Sequence, residues 1–368
     1  MTYPKVAVII LNYNGWQDTI ECLESVLRND YPNYQVIVVD NGSPNNSMEY
    51  IKAWAEGRQG VLTPEPSHPL YHLSHPPVKK PIPYICYTKE EAEKGGNFEL
   101  EEKLTKEWQK QRKSNNKENK ELISTSPYPL IFIQTGENLG FAGGNNVGIR
   151  YILAKERNDF DSVVLLNNDT VICKNSITEL IKAKNNLGNE AIYGGRIYYY
   201  SNPTKIWYDG GYFNEWLGRT MHINMGKSNI PEKAIHEVNF ITFCYVFIPK
   251  QLLKIIGLLD ESYFIYVEDL DYSYRVWKSG YKLYHVSSSQ IYHKVGASSG
   301  ENEVSEFSAY WYYRNSLNFR LNKLTGIYKI GSLLYYFLRL PYLILKWSFK
   351  EPKVIKSLLN GIKDAIYK

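Results

Sequence analysis

The residues best placed to do chemistry close an apolar run. Ser162–Val163–Val164–Leu165–Leu166 leads into Asn167–Asn168–Asp169–Thr170. A short run of this kind predicts a buried strand. It ends in a carboxylate flanked by amides, where the chain leaves the sheet. Ligands of open α/β sheets bind outside the carboxyl ends of the strands. An Asp there can hold a hard divalent cation, which in turn holds phosphate oxygens. The same residues also make an ordinary Asn-Asp turn, so three further segments weigh in the choice.

At the N-terminus, Val6–Ala7–Val8–Ile9–Ile10–Leu11 predicts a strand broken by Asn12–Tyr13–Asn14–Gly15. Ile20, Leu23, Val26 and Leu27 follow at helical spacing, and Gln35–Val39 predicts a second strand closed by Asp40–Asn41–Gly42–Ser43. Strand, helix, strand predicts a parallel pair with a crossover helix. Asp40 then sits where a carboxylate can accept from a base or from ribose hydroxyls, or simply make a turn. No G-x-G-x-x-G follows the first strand, so this is not a dinucleotide fingerprint. After a strand at Leu130–Ile133 comes the glycine-rich stretch Asn138–Gly148, which predicts a loop ahead of a helix from Asn146 to Ala154. Such a loop permits close backbone approach to an anion at the helix N-terminus, although structural turns use the same residues.

The third segment, Tyr263–Arg275, sets Glu268, Asp269 and Asp271 in aromatic surroundings. On a helix Glu268 and Asp271 share a face while Asp269 points elsewhere. Carboxylates in apolar surroundings titrate high, which suits a general base. Acidic residues in a first helical turn also complement the helix dipole. His293 follows a short strand pattern. Beside a cation site it is a candidate ligand; alone it is structural.

In this order the motifs resemble the inverting family 2 glycosyltransferases of GT-A fold, and among them the bacterial and archaeal rhamnosyltransferase-like branch. The carriers are Val8–Asn14, Val38–Ser43, Asn138–Asn145, Leu166–Asp169, Gly257–Glu261, Glu268–Asp271 and Tyr292–Lys294, across residues 4 to 300 with one insertion. The resemblance implies an α/β fold, a Rossmann-like, mostly parallel mixed sheet flanked by helices. It implies a nucleotide-sugar pocket at Asn12, Asn14, Asp40, Asn41, Asn138, Gly140, Gly143, Asn145 and Asn168. Asp169 and His293 would hold Mg²⁺ or Mn²⁺. Asp269, or less favourably Glu268, would deprotonate the acceptor. Asn167 stands where the family's D-x-D motif begins with Asp, which rests the metal on Asp169 and leaves a catalytically dead binding protein as an alternative.

These residue types fit the reaction. A hydroxyl is a poor nucleophile, so a positioned carboxylate takes its proton. A divalent cation stabilises charge on the leaving nucleoside diphosphate. Displacement with inversion needs no covalent nucleophile, and no nucleophile-elbow pattern is present. A sugar-nucleotide pyrophosphorylase is disfavoured because its Gly-rich N-terminal loop with Arg and Lys is missing.

A chain of 368 residues can bury a sizeable core. Its 32 Tyr include clusters at 198–200 and 310–313 that suit stacking on sugars as well as packing. Trp207, Asp209 and Trp216 mark a candidate acceptor loop, or an aromatic hairpin. Cys22, Cys86, Cys173 and Cys244 lack C-x-x-C spacing, which argues against zinc and disulfide frameworks. No signal-peptide pattern precedes the first strand.

Two regions lie outside this pattern. Residues 57–127 predict an insertion, Pro- and His-rich at first (His68, His72, His75), then rich in Lys, Glu, Gln and Asn. Leu100, Leu104 and Trp108 stand four apart and predict one short amphipathic helix within it. A flap over the acceptor or a partner surface would suit it. The C-terminal 46 residues from Lys323 carry nine Lys/Arg against Glu351 and Asp364. Ile330–Trp347 is apolar but broken by Arg339, Pro341 and Lys346, too interrupted to predict a spanning helix of about 20 residues. Basic amphipathic helices with Trp and Phe lie in membrane interfaces and favour anionic lipids; packing on the catalytic domain or another subunit is the alternative. The net charge of +5 gathers there, so nucleic acid is not needed to explain it. The expected organisation is a catalytic domain at 1–320 and amphipathic helices at 321–368. The expected protein is cytoplasmic, peripheral at the inner face of the cell membrane. It would move a sugar from a dTDP- or UDP-sugar, dTDP-rhamnose first, to a lipid-linked or cell-surface glycan, with a homodimer left open.

Overall fold

The computed structural model describes residues 3–115, 122–155, 159–232, 234–295, 305–348 and 351–367. β1 (Lys5–Asn12) enters a helix at Trp16–Val26 and returns as β2 (Tyr34–Asp40), parallel to β1 with Asn12 opposite Asp40. β3 (Tyr84–Thr88), β4 (Leu130–Gln134), β5 (Phe160–Asn167), β6 (Thr170–Ile172), β7 (Ala191–Tyr199), β8 (Ile206–Tyr208), β11 (His236–Val238), β12 (Tyr245–Pro249) and β13 (Lys282–His293) complete one eleven-stranded sheet; β9 (Gly211–Asn214) and β10 (Arg219–His222) form a separate hairpin. The main sheet runs β11-β13-β7-β12-β5-β1-β2-β4-β3, with β6 on β13 and β8 on β7. Its half around β1 is parallel, while β12 runs antiparallel to both β5 and β7.

Along β1, Val6, Val8 and Ile10 enter one core layer, Ala7 and Ile9 the other; β2 splits Val36 and Val38 from Ile37 and Val39 in the same way. Both faces are covered by helices, so these strands read as continuous apolar runs. Each Val or Ile removed from water contributes about 1.5–3 kcal/mol before entropy.

The glycine-rich stretch is not a loop. The helix there spans Gly140–Leu153, six residues earlier than its sequence predicts. Gly144 and Gly148 lie inside it, and Cβ atoms there would stand 2.4 Å from Leu11 Cδ1 and 3.0 Å from Ile9. Glycine disfavours a helix by about 1 kcal/mol per residue. Close contact with β1 outweighs that preference, which a propensity reading cannot see.

The insertion is ordered against the core. The helix expected around Trp108 spans Phe98–Asn115; Trp108 is buried and its Nε1 donates to the Ser126 carbonyl at 3.1 Å, while Leu100 is exposed. An unforeseen element is β3, which adds a parallel edge strand to β4. Two buried acids fasten the segment. Glu101 accepts from Lys155 and from the hydroxyls of Tyr87 and Tyr151; Glu24 accepts from Trp54 Nε1, the Val78 N–H and Lys80. His68 stacks on Tyr200 and His75 on Tyr71. Among the described residues, no group of three or more His, Cys, Asp or Glu is placed to hold a metal.

Three helices end the chain, at Glu306–Asn322, Gly326–Ser348 and Pro352–Tyr367. The first joins the sheet-bearing body: Phe319 meets Phe213 and Tyr274 edge-on, and Arg320 donates to the Leu217 and Gly218 carbonyls. The third crosses the first closely at Gly361, and Tyr310 donates to Asp364 at 2.6 Å. Among the described residues, no helix is long and apolar enough to cross a membrane.

Candidate active site

β5 ends at Asn167, and the turn Asn168–Asp169 carries the chain into β6, which pairs with the end of β13 so that Thr170 faces His293. The Lys294 N–H donates to the Asp169 carbonyl at 2.9 Å. This pairing sets His293 Nε2 3.2 Å from Asp169 Oδ1. Among the described residues neither Asp169 Oδ1 nor His293 Nδ1, both buried, has a partner in strict hydrogen-bond geometry, although the Asp169 carboxylate and the Cys244 thiol both lie against the imidazole. Burial opposes the charged imidazole, but the Asp169 carboxylate outweighs it and holds His293 well above the ordinary range. A carboxylate and an imidazole 3.2 Å apart and facing a cleft fit a divalent cation completed by ligand oxygens, which would take the place of the imidazole proton.

Asp169, His293, Glu268 and Asp269 line one cleft of about 410 Å³. The helix Glu268–Lys278 positions the last two. Its first turn holds all three acids of the segment, which favours the positive end of the helix. Asp271 is fully buried against Arg275 and Lys323, so it is structural. Asp269 keeps part of its surface open to the cleft. Burial raises its pKa from the ordinary 3.8 to about 6, against backbone N–H groups and Thr242, which lower it. Glu268 is more deeply buried, its Oε2 has no partner, and burial together with the Asp269 charge pushes it well above the carboxylate range. The site pushes both carboxylates towards the protonated form, and Glu268, the more deeply buried, further than Asp269.

The turn ahead of this helix is strained. Phe264, Tyr266 and Val267 have φ of 59°, 67° and 77°, a region that costs non-glycine residues about 1–2 kcal/mol each. The Asn315 amide holds it, lying 2.6, 2.8 and 3.0 Å from the carbonyls of Tyr263, Ile265 and Tyr266. The Phe264 carbonyl accepts from the Phe141 N–H at the start of the glycine-rich helix. Such strain collects at functional sites, and no sequence pattern announces it.

The nucleotide-side residues form two networks at the strand ends. Asn12 Nδ2 donates to Asp40 Oδ1 at 2.6 Å, Ser43 Oγ donates to the same oxygen at 2.6 Å, and Thr19 donates to Asn12 Oδ1. Asn168 donates to Thr19 and to the Gly15 carbonyl, and the Asn14 N–H to Ser43. Asn41 donates to Asn138 and to the Gly140 carbonyl, and accepts from the Leu139 N–H. Asn145 and Gly143 lie within the helix, where Asn145 donates to the Phe141 carbonyl. Ser43 and Thr19 were missed because small hydroxyl residues near a turn carry no distinguishing signal.

Of the expected acceptor-side residues only Trp207 lines the cleft, edge-on to His293 at 4.9 Å. Asp209 does not line it. It is buried, with Oδ1 on Arg196 (2.7 Å) and His285 (2.9 Å) and Oδ2 on Asn224 (2.7 Å), a closed structural network. Nor does Trp216, which is half exposed and packs edge-on against Tyr328 of the second C-terminal helix. In their place Arg219 and His222 of β10, and Tyr312 and Ser316 of the first C-terminal helix, reach the cleft. Those two helical residues follow from packing between segments nearly 50 residues apart, which local sequence does not encode.

Residues 7–63 match the model of glycosyl transferase family 2, and residues 162–345 match that of glycosyl transferase family group 2. The second match takes in half of the chain, and the chain belongs to glycosyl transferase family 2. Its fold is the GT-A fold. The low-salt glycan biosynthesis hexosyltransferase Agl10 of Haloferax volcanii is 28% identical over 151 residues, 40% of this chain and 46% of that protein, so the match spans less than half of the relative's length. The mannosyltransferase PcManGT from Pyrobaculum calidifontis, in complex with GDP-Man and Mn²⁺, is similar over 100% of this chain and 88% of its own, with 11% identity and a TM-score of 0.50. Staphylococcus aureus TarS 1–349 in complex with UDP is similar over 98% of this chain and 80% of its own, with 14% identity and a TM-score of 0.50. At these identities the likeness is one of fold.

Proposed function

We propose that this protein is an inverting, metal-dependent glycosyltransferase that extends a lipid-linked or cell-surface glycan at the cytoplasmic face of a membrane. The observation that carries the reading is the cleft itself, where Asp169 and His293, 3.2 Å apart, share one space with Asp269, whose pKa burial raises to about 6. Asp40 and its network would orient the base and ribose of the donor. A Mg²⁺ or Mn²⁺ ion held by Asp169 and His293 would offset charge on the diphosphate. Asp269 takes the proton of the acceptor hydroxyl as its oxygen bonds to the anomeric carbon. The bond from that carbon to the diphosphate breaks on the opposite face, so configuration inverts. Glu268, kept neutral, adds no second negative charge beside the base.

The donor we favour is dTDP-L-rhamnose. A UDP-hexose is the second reading, favoured by the hexosyltransferase name of the Haloferax relative. Attachment at the membrane rests on the apolar outer face of the helix Gly326–Ser348. A thermal-shift panel of dTDP-, UDP- and GDP-sugars with Mn²⁺ or with EDTA tests the whole reading, since a ligand of the native state raises the melting temperature. One sugar nucleotide stabilising only with metal is the expected result. No response to any of them overturns it, and binding without turnover on any acceptor would leave a dead binding protein.

A further inference from the structure

Beside the catalytic cleft lies a second cavity, of about 240 Å³, between the first two C-terminal helices. It shares Arg219, Tyr312 and Ser316 with the cleft, so these side chains form a common wall between the two. Arg219, Arg320, Arg339 and Lys346 line it, and among the described residues no carboxylate does. Arg320 is only 3% exposed, yet its guanidinium donates to neutral groups: the carbonyls of Ser316, Leu217 and Gly218 and the Ser316 hydroxyl. Arg320 Nε, and Nε1 of the buried Trp347 on the same wall, have no hydrogen-bond partner. Arg320, buried over the Tyr336 ring at 5.0 Å and without a carboxylate among the described residues, is costly to keep charged; with the more exposed Arg219, Arg339 and Lys346 on the same wall, the hollow suits an anion. The field is already felt by Tyr335. Burial would raise its phenol, but a 2.9 Å hydrogen bond from Arg219 and the charges of Arg219 and Arg339 lower it.

What reaches this hollow is indicated by its surroundings. The helix that carries Arg339 and Lys346 turns Ile330, Leu334, Leu338, Tyr342 and Leu345 outward at steps of three or four residues, each more than half exposed. Trp216, Met221 and Met225, each about half exposed, lie on or beside the β9–β10 hairpin, which meets that helix where Trp216 touches Gly331 and Arg219 touches Tyr335. Arginine forks match phosphate oxygens, and an apolar stripe beside basic residues suits a lipid surface.

We propose that this cavity binds the phosphate or diphosphate group of a lipid-linked acceptor, whose lipid lies along the exposed apolar face of the helix Gly326–Ser348. The acceptor's sugar then passes the shared wall at Arg219 and Tyr312 to meet Asp269. This deepens the transferase reading and rests on it.

The test uses the full chain and an Arg339→Gln/Lys346→Gln variant, neither residue being part of the catalytic cleft. Binding is measured to phosphatidylcholine vesicles alone, with phosphatidylglycerol, and with farnesyl diphosphate, all in EDTA. Wild type is expected to prefer the diphosphate vesicles to the phosphatidylglycerol ones by about tenfold, and the variant to lose that preference. Inorganic pyrophosphate should compete for the wild type. Equal binding to all vesicles, or a variant as selective as wild type, overturns the proposal. Tight pyrophosphate binding with no gain from diphosphate vesicles overturns the lipid source and leaves a soluble-anion site. Donor stabilisation with Mn²⁺ is read in parallel. A donor response without diphosphate selectivity sinks the pocket alone. Selectivity without any donor response sinks the transferase reading, and the acceptor role with it.

Discussion

The Phe141 N–H donates to the Phe264 carbonyl at 2.6 Å, tying the glycine-rich helix to the strained turn ahead of Asp269. Gly140 permits the approach. A Cβ there would stand 2.4 Å from the Phe264 oxygen, and its φ is +71°. Gly140→Ala therefore meets both backbone strain and a backbone clash. It should cost well over the roughly 1–2 kcal/mol of left-handed strain alone. Gly136→Ala, at φ +79° with nothing within 4 Å, supplies the strain-only comparison in urea denaturation.

Asn315 grips the same turn from the C-terminal helix. Asn315→Ala leaves three carbonyls without its amide, two of them at 2.6 and 2.8 Å. Buried groups left unpaired cost about 1–3 kcal/mol. The turn positions Asp269 and not the Asp40 network, so kcat should fall while donor affinity holds. Calorimetric donor binding beside steady-state rates separates the two; a parallel loss of both would show general unfolding instead.

Much of this was legible in sequence. The runs at 6–11, 35–39, 130–133 and 162–166 became β1, β2, β4 and β5, because a doubly covered sheet demands unbroken apolar strands. Asp169, His293, Glu268 and Asp269, drawn from three separate segments, line one cleft. What escaped was set by tertiary contact. The glycines of 140–148 joined a helix because β1 lies against them. Asp209 and Trp216 do not line the cleft, because Arg196, His285 and Tyr328 hold them elsewhere. Arg219 and Tyr312 reach the cleft through a hairpin and a distant helix, and no local pattern records that meeting.

Asp209 is the sharpest contrast between an expected binding residue and a structural one. It is the buried counter-charge of Arg196 and His285, and its neighbours hold its carboxyl far below the ordinary range even though burial raises it. Asp209→Ala strands a buried guanidinium and should destabilise by about 3–5 kcal/mol. Acceptor KM in the fraction that folds should not change. A stable variant with a raised acceptor KM would return Asp209 to the acceptor site.

Asp169→Asn and His293→Ala remove the two candidate metal ligands. Each should abolish Mn²⁺-dependent stabilisation by the donor. Turnover should fall about a hundredfold, the rate equivalent of a few kcal/mol of lost charge stabilisation. Thermal shift with Mn²⁺ and with EDTA gives the readout. Unaltered metal dependence in either variant would move the cation elsewhere.

The adjacent acids make opposite predictions. Asp269 must be ionised to accept a proton, so kcat/KM should fall as pH drops through about 6. Asp269→Asn should lower turnover about a thousandfold with donor binding retained. Burial and the Asp269 charge favour the neutral form of Glu268, which Gln mimics, so Glu268→Gln should keep most activity and the same acid limb. Stability carries a matching signature. The folded Asp269 gives up its proton near 6 and the unfolded one near 3.8, so the folded state binds more protons between those values and stability declines as pH rises through that window. Above it the penalty is complete. Asp269→Asn should therefore gain melting temperature at pH 7.5 relative to wild type, and lose that gain at pH 4. An inactive Glu268→Gln beside an active Asp269→Asn would exchange their roles.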